Sequence, residues 1–159
     1  MKKLRLPEKK AGIWLDQGKA FIISIVGNSY PVIEKIRSGV ESRIRVPGES
    51  KVFSRYGQTV IDGQEKKQRR QRHQRHRYFN KIMDSIGGSD FIYLFGPSEA
   101  RHELNNEIEN SYLLKGKVVA IKHAARMTQE QMVQAVINFF DGDEFRLFKR
   151  NLKKQKLVH

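Results

Sequence analysis

The chain has no cysteine, which excludes disulfides, thiolate nucleophiles and every cysteine-based zinc site. It also lacks a long hydrophobic run: nothing approaches the roughly 20 apolar residues of a membrane span. The N-terminus, Met1-Lys2-Lys3-Leu4-Arg5, has no apolar stretch of the kind a signal peptide needs, so a cytoplasmic location is expected. Internal repeats and extended low-complexity tracts are absent too. Acid is in short supply, with 17 Asp and Glu against 31 Lys and Arg, a formal charge of +14 and a pI near 10.1. Such an imbalance points to a polyanion partner, nucleic acid before anionic membrane. At 159 residues the chain forms one domain with a real core.

What is present is concentrated in residues 62–81, DGQEKKQRRQRHQRHRYFNK. Between Glu65 and Lys81 lie eight Lys/Arg, two His and one acid. Apolar residues enter only at the end, as Tyr78, Phe79, Ile82, Met83 and Ile86, at the 3–4 residue spacing of an amphipathic helix. The spacing predicts a basic helix over 65–86 whose C-terminal half packs on a core while its N-terminal half projects. A solvated helix face ordinarily mixes charge signs at i,i+4, because like pairs cost a few tenths of a kcal/mol each. Here Lys66/Arg70 and Arg72/Arg75 are alike. Phosphate contact is therefore assigned to Lys66, Lys67, Arg69, Arg70, Arg72, His73, Arg75, His76 and Arg77.

Around this helix the chain reads as an α/β layout. Residues 1–10 form a basic extension and residues 11–140 the domain. Ala11–Asp16 and Ala20–Val26 are apolar runs joined by a Gly-containing turn, and Tyr30–Arg37 follows as a third strand. Residues 38–64 show no sustained period and carry Gly39, Pro47, Gly48, Gly57 and Gly63, which reads as a long loop, functional or disordered, and mobile in the free protein. After Gly87-Gly88, Phe91–Phe95 is a buried strand and Gly96-Pro97-Ser98-Glu99 opens a helix through about Asn110. Lys117–Lys122 is the last strand. Thr128 and Gln131 stand at capping-box spacing before a helix that buries Met132, Val133, Val136, Ile137, Phe139 and Phe140. Residues 141–159 read as a basic tail. The order predicts a five-stranded mixed sheet, an antiparallel meander followed by βα units, with helices on its faces. This is the element order of the ribonuclease H-like motif, and fold alone does not specify chemistry.

Asp62-Gly63-Gln64, then Arg75-His76-Arg77-Tyr78, then Phe91–Phe95 followed by Gly96-Pro97, together resemble the middle domain of the eukaryotic and archaeal class I translation termination factors and the related rescue factor Pelota. In that family a Gly-Gly-Gln loop precedes an Arg-rich helix, a strand and a Gly-Pro helix start. The resemblance covers roughly residues 11–140. It implies ribosome or tRNA as partner and, where the loop is active, hydrolysis of the peptidyl-tRNA ester, which would fall to Gly63 and Gln64. Two departures stand out. Asp62 occupies the place of the first loop glycine, where backbone freedom is wanted and negative charge is not. The domains that read a stop codon have no counterpart in the chain, so codon-specific release is not expected.

Other chemistries are less well provided for. A metal nuclease needs converging carboxylates. The candidates Asp16, Glu34 and Asp90 have simpler readings as a hairpin-turn acid, a polar strand position and a loop acid. His73 and His76 share a helix face, yet a zinc site would require His102 or His123 as well, among cations that oppose it. Trp14 and the Phe139-Phe140 pair are read as core. The expectation is a stand-alone RNA-binding, translation-associated domain that docks on ribosome, tRNA or other structured RNA. It binds rather than catalyses and uses no cofactor, metal or membrane. Peptidyl-tRNA hydrolysis, a metal-dependent nuclease and a nucleic-acid module unconnected with translation are the alternatives.

Overall fold

Strands that are apolar on both faces must be covered on both, and this requirement sets the architecture. The computed structural model describes residues 6–39 and 57–158, with backbone alone for 57–62, 157 and 158. Three strands open the chain, β1 (Lys9–Leu15), β2 (Lys19–Val26) and β3 (Val32–Arg37). A long helix α1 (Gly57–Ser85) leads to β4 (Phe91–Gly96), α2 (Ala100–Glu109), β5 (Val118–His123), α3 (Gln129–Asp141) and α4 (Asp143–Val158). The sheet order is β3-β2-β1-β4-β5. The β1–β2 and β2–β3 pairs are antiparallel, while β1–β4 and β4–β5 are parallel. The expected five-stranded mixed sheet with an N-terminal meander is thus present.

The period-2 alternation of each strand divides its side chains between two cores. Ala11, Ile13 and Leu15 of β1, Ala20 and Ile22 of β2, and Ile92 and Leu94 of β4 face α1 and α2. Trp14, Phe21, Ile23, Tyr93 and Phe95 face α3 and α4. Tyr93 stacks on Phe139 at 4.0 Å between ring centroids, and Phe139 and Phe140 contact Phe145 of α4. Trp14 is fully buried, its indole N–H donating to the carbonyl of Ala125 at 3.3 Å. The capping box at α3 forms as spaced: Thr128 Oγ1 accepts from the Gln131 N–H at 3.2 Å, and Gln131 Oε1 accepts from the Thr128 N–H at 2.9 Å.

Three sequence boundaries are corrected. The basic helix starts at Gly57, not Glu65, so the 57–64 part of the expected loop is helical. Gln58 to Ile61 contain no breaker, and an isolated interior glycine such as Gly63 costs a helix only about 1 kcal/mol. Residues 40–56, the bulk of the segment read as a loop, lie outside the described residues. The supposed basic tail is helix α4: Phe145, Phe148 and Leu152 recur at helical spacing and dock it on the sheet, where Phe145 meets Phe91 edge-on at 4.8 Å. The N-terminal extension ends earlier than expected, since Lys9 and Lys10 already belong to β1 and the Lys9 N–H is held by the Asp90 carboxylate at 2.9 Å.

α3 approaches β1 closely because Gly12 has no side chain. A Cβ there would collide with both methyl groups of Val136. Gly12→Ala is expected to lower stability by about 1–3 kcal/mol in urea unfolding, the cost of overpacking. Val136→Ala introduced in the same chain should recover part of that loss.

Candidate nucleic-acid interface

α1 divides into a root and an arm. The root is built from Tyr78, Phe79, Ile82 and Ile86, all buried against the sheet. At 3.6 residues per turn they fall on one face, which explains why the helix docks there and only there. The Tyr78 and Phe79 rings stack at 5.5 Å. The Tyr78 hydroxyl donates to the main-chain carbonyl of Asp16 at 3.1 Å, tying α1 to the β1–β2 turn. Burial, with the Asp16 carboxylate as a second cause, pushes the Tyr78 phenol far above its ordinary value, so it stays a neutral donor.

From Arg77 back to Gly57 the helix runs about 30 Å, taking 1.5 Å per residue. Lys66, Arg70, His73 and Arg77 are exposed, and their i, i+4, i+7, i+11 spacing sets them on the side opposite the root's buried face. None of these four has an acidic partner among the described residues. A second line, Gly63, Lys67, Gln71 and Gln74-Arg75, is half-buried at successive turns and continues the direction of Tyr78. The arm therefore has an outer face of exposed charge and an inner, half-buried one that mixes Gly63, Gln71 and Gln74 with Lys67 and Arg75.

The nine positions assigned from sequence, seven Lys or Arg and two His, are thus not equivalent. Arg69 pairs loosely with Glu65 at 4.0 Å on the surface. Arg75 reaches Glu103 of α2 at 3.6 Å, and His76 lies 3.9 Å from Glu107. Glu103 also accepts from the Gln17 side chain at 3.4 Å. Arg72, Arg75, His76 and Phe79 line a groove of about 430 Å³ with Glu103 and Glu107 on its far wall. Arg75 consequently ties the root to α2, with His76 beside it facing Glu107. Sequence reasoning missed these two acids, although Glu103 and Glu107 flank the buried stripe Ala100, Leu104, Ile108 at i,i+4 and were legible as a stripe facing a neighbour.

Gly63 and Gln64 lie inside α1, Gly63 half-buried and Gln64 exposed. The loop expected to present them is replaced at these positions by helix, whose backbone leaves no glycine-specific conformation for Gly63 to supply. The nuclease carboxylates are engaged separately. Asp16 Oδ1 accepts from the Gly18 and Lys19 N–H groups at 2.8 Å each, Glu34 accepts from Ser85 Oγ at 3.2 Å, and Asp90 holds Lys9. Among the described residues no three His, Asp or Glu side chains gather as a metal site, and no helix is long and apolar enough to cross a membrane.

No protein-family model and no curated protein matches the sequence. Among solved structures the chain is similar to Pelota from Thermoplasma acidophilum, with 16% identity, 90% of this chain covered and a TM-score of 0.49. It is also similar to an archaeal translation termination factor, with 12% identity, 94% coverage and a TM-score of 0.46. Pelota from Archaeoglobus fulgidus gives 8% identity, 96% coverage and a TM-score of 0.48. The chain spans 35%, 39% and 37% of the length of these three proteins respectively.

Removing the Tyr78 hydroxyl tests the root. Tyr78→Phe is expected to cost about 0.5–1.5 kcal/mol near neutral pH, the worth of one hydrogen bond. The raised phenol value means its contribution is complete below the ordinary tyrosine range, near 10, and declines as pH climbs beyond it. Denaturant melts at neutral and alkaline pH should therefore converge for wild type and Tyr78→Phe at the alkaline end.

Proposed function

We propose that this chain is an RNA-binding, translation-associated factor that docks on the ribosome or on tRNA through α1, acting by binding and not by catalysis. The outer face of the arm carries the proposal: Lys66, Arg70, His73 and Arg77 stand in line, exposed and without acidic partners among the described residues, on a helix whose other end is buried. A line of cations costs stability through mutual repulsion and gains nothing from the core. A phosphate backbone removes that cost and releases its own counterions. RNA is preferred as the polyanion because Gly63-Gln64, Arg75-His76-Arg77-Tyr78 and Gly96-Pro97 follow one another as in the termination-factor middle domain that the sequence resembles.

Within this reading Arg69, Arg70, Lys66, Lys67, Arg72, His73 and Arg77 meet phosphate, and Arg75 and His76 hold the arm's angle through α2. About five phosphate contacts imply an affinity loss on the order of 10²- to 10³-fold between 50 and 200 mM salt. The triple variant Lys66→Gln, Arg70→Gln, Arg77→Gln is expected to bind structured RNA at least about 10-fold more weakly, with a log–log salt slope shallower by about 2–3. Its melting temperature should be unchanged or raised. Unchanged affinity and slope would overturn the assignment. Co-sedimentation with ribosomal particles from a lysate, at low and high salt, separates a translational partner from other nucleic acid. Recovery with DNA or bulk RNA but not ribosomes would favour a module unconnected with translation.

The hydrolytic alternative is disfavoured by two observations on one tripeptide: Asp62 stands where the family has glycine, and Gly63 is helical. Release of labelled peptide from ribosome-bound peptidyl-tRNA is expected to stay at background for wild type and for Gln64→Ala. Fast release by wild type that collapses in Gln64→Ala would replace binding with catalysis.

A further inference from the structure

A second cationic site lies across the sheet from α1. Lys19 opens β2, Lys35 and Arg37 lie on β3, and Arg126 comes from the β5–α3 connection. The β2–β3 register sets Lys19 opposite Arg37 and Phe21 opposite Lys35, so strand alternation turns all four toward the α3 side. The ammonium groups of Lys19 and Lys35 both sit over the ring of Phe21, at 6.0 and 5.6 Å from its centroid. With Arg37 and Arg126 they line an open cleft of about 610 Å³ whose other walls are the Asp16–Gly18 turn and Pro97-Ser98.

The walls of this cleft are held in place. Arg101 Nη1 donates to the carbonyls of Gly96 at 3.2 Å and Ser98 at 2.6 Å, pinning the turn after β4. Gly96, at φ +151°, lets that turn press on the Leu15 carbonyl, where a Cβ would collide. The cleft therefore opens beyond the carboxyl ends of the parallel neighbours β1 and β4, where open α/β sheets characteristically bind ligands. Its charge is uncompensated. None of the four cations has an acidic partner among the described residues, and the single carboxylate in the lining, Asp16, already accepts two turn N–H groups. Like charges set opposite on adjacent strands destabilise a sheet, and a bound anion reverses the sign of that interaction.

We propose that this cleft is a second phosphate-binding site, in which Lys19, Lys35, Arg37 and Arg126 hold backbone phosphate of the same RNA that lies along α1. The proposal rests on the RNA-binding reading of α1 given above. The two sites meet at one residue: the Asp16 carbonyl accepts from Tyr78 at the arm's root, while its side chain lines the cleft. RNA engaged by both must cross the end of the sheet, so the arm supplies one line of contact and the cleft a second on the far face.

The test measures binding of a fluorescein-labelled RNA hairpin with a single-stranded 3′ tail, by anisotropy across a salt series. Wild type is compared with the cleft variant Lys35→Gln, Arg37→Gln, Arg126→Gln and with the arm variant Lys66→Gln, Arg70→Gln, Arg77→Gln. The cleft variant is expected to lose about 10-fold or more in affinity and about 2 in salt slope. Amide resonances of Gly18 and Lys19 should shift when the hairpin is added to wild type, and should not shift in the cleft variant. Wild-type affinity and slope in the cleft variant, with binding lost in the arm variant, would overturn the cleft and leave the arm reading intact. Binding lost in the cleft variant alone would overturn the arm reading and with it the proposal that one RNA spans both sites. Binding unaffected in both would overturn both. All four cleft side chains are exposed, so these substitutions leave the core untouched.

Discussion

The structure turns on the burial of one end of one helix. Tyr78, Phe79, Ile82 and Ile86 are removed from water against β2, β3 and α2, and each such side chain contributes on the order of 1.5–3 kcal/mol. That anchorage offsets what the other end costs, a few tenths of a kcal/mol for each like-charged i,i+4 pair. Because hydrogen bonding is continuous along the helix, the root also sets the direction of residues that make no core contact. The basic segment is thereby presented as a straight line of charge and not as a loose tail.

Charge compensation then sorts cations by role. Acids are placed where a cation must be held: Glu103 against Arg75 at 3.6 Å, Glu144 against Lys122 at 2.9 Å, and Glu8 against Lys149 at 2.7 Å. These pairs join neighbouring elements to one another. The outer face of α1 and the cleft between β3 and the β4–α2 turn receive no such partners among the described residues. A protein of net charge +14 cannot compensate every cation, and two groups of uncompensated ones, on the outer face of α1 and in the cleft, open to solvent. Such concentrations attract polyanions from a distance and are screened by salt over about 8–10 Å.

The proposed function follows from that sorting. Phosphate recognition needs exposed cations in a fixed spatial order, and a helix rooted at one end supplies the order. Hydrolysis would need something else: backbone freedom next to Gln64 and no carboxylate beside it. Asp62 and the helical Gly63 work against both.

Much of the fold was legible in local pattern. Apolar runs bounded by glycine-containing turns announced the strands, the Thr128/Gln131 spacing announced a capping box that forms, and the onset of apolar residues at Tyr78 located the root. Charge density alone singled out the segment that the proposed function sets against a polyanion. Local pattern failed where charge masked periodicity, as in α4, whose Phe145, Phe148 and Leu152 stripe is scattered among lysines and arginines. It failed again at the start of α1, where glycines suggested a loop that a long helix absorbs. What only the tertiary structure decided is which cations are free. Arg75 and Arg77 are indistinguishable in the sequence, yet one meets Glu103 and the other meets solvent. Lys19, Lys35 and Arg126 lie far apart in the chain and line one cleft. Secondary structure is written in spacings of two to four residues, whereas compensation of charge depends on which distant segments the sheet register and helix docking bring within a few ångströms.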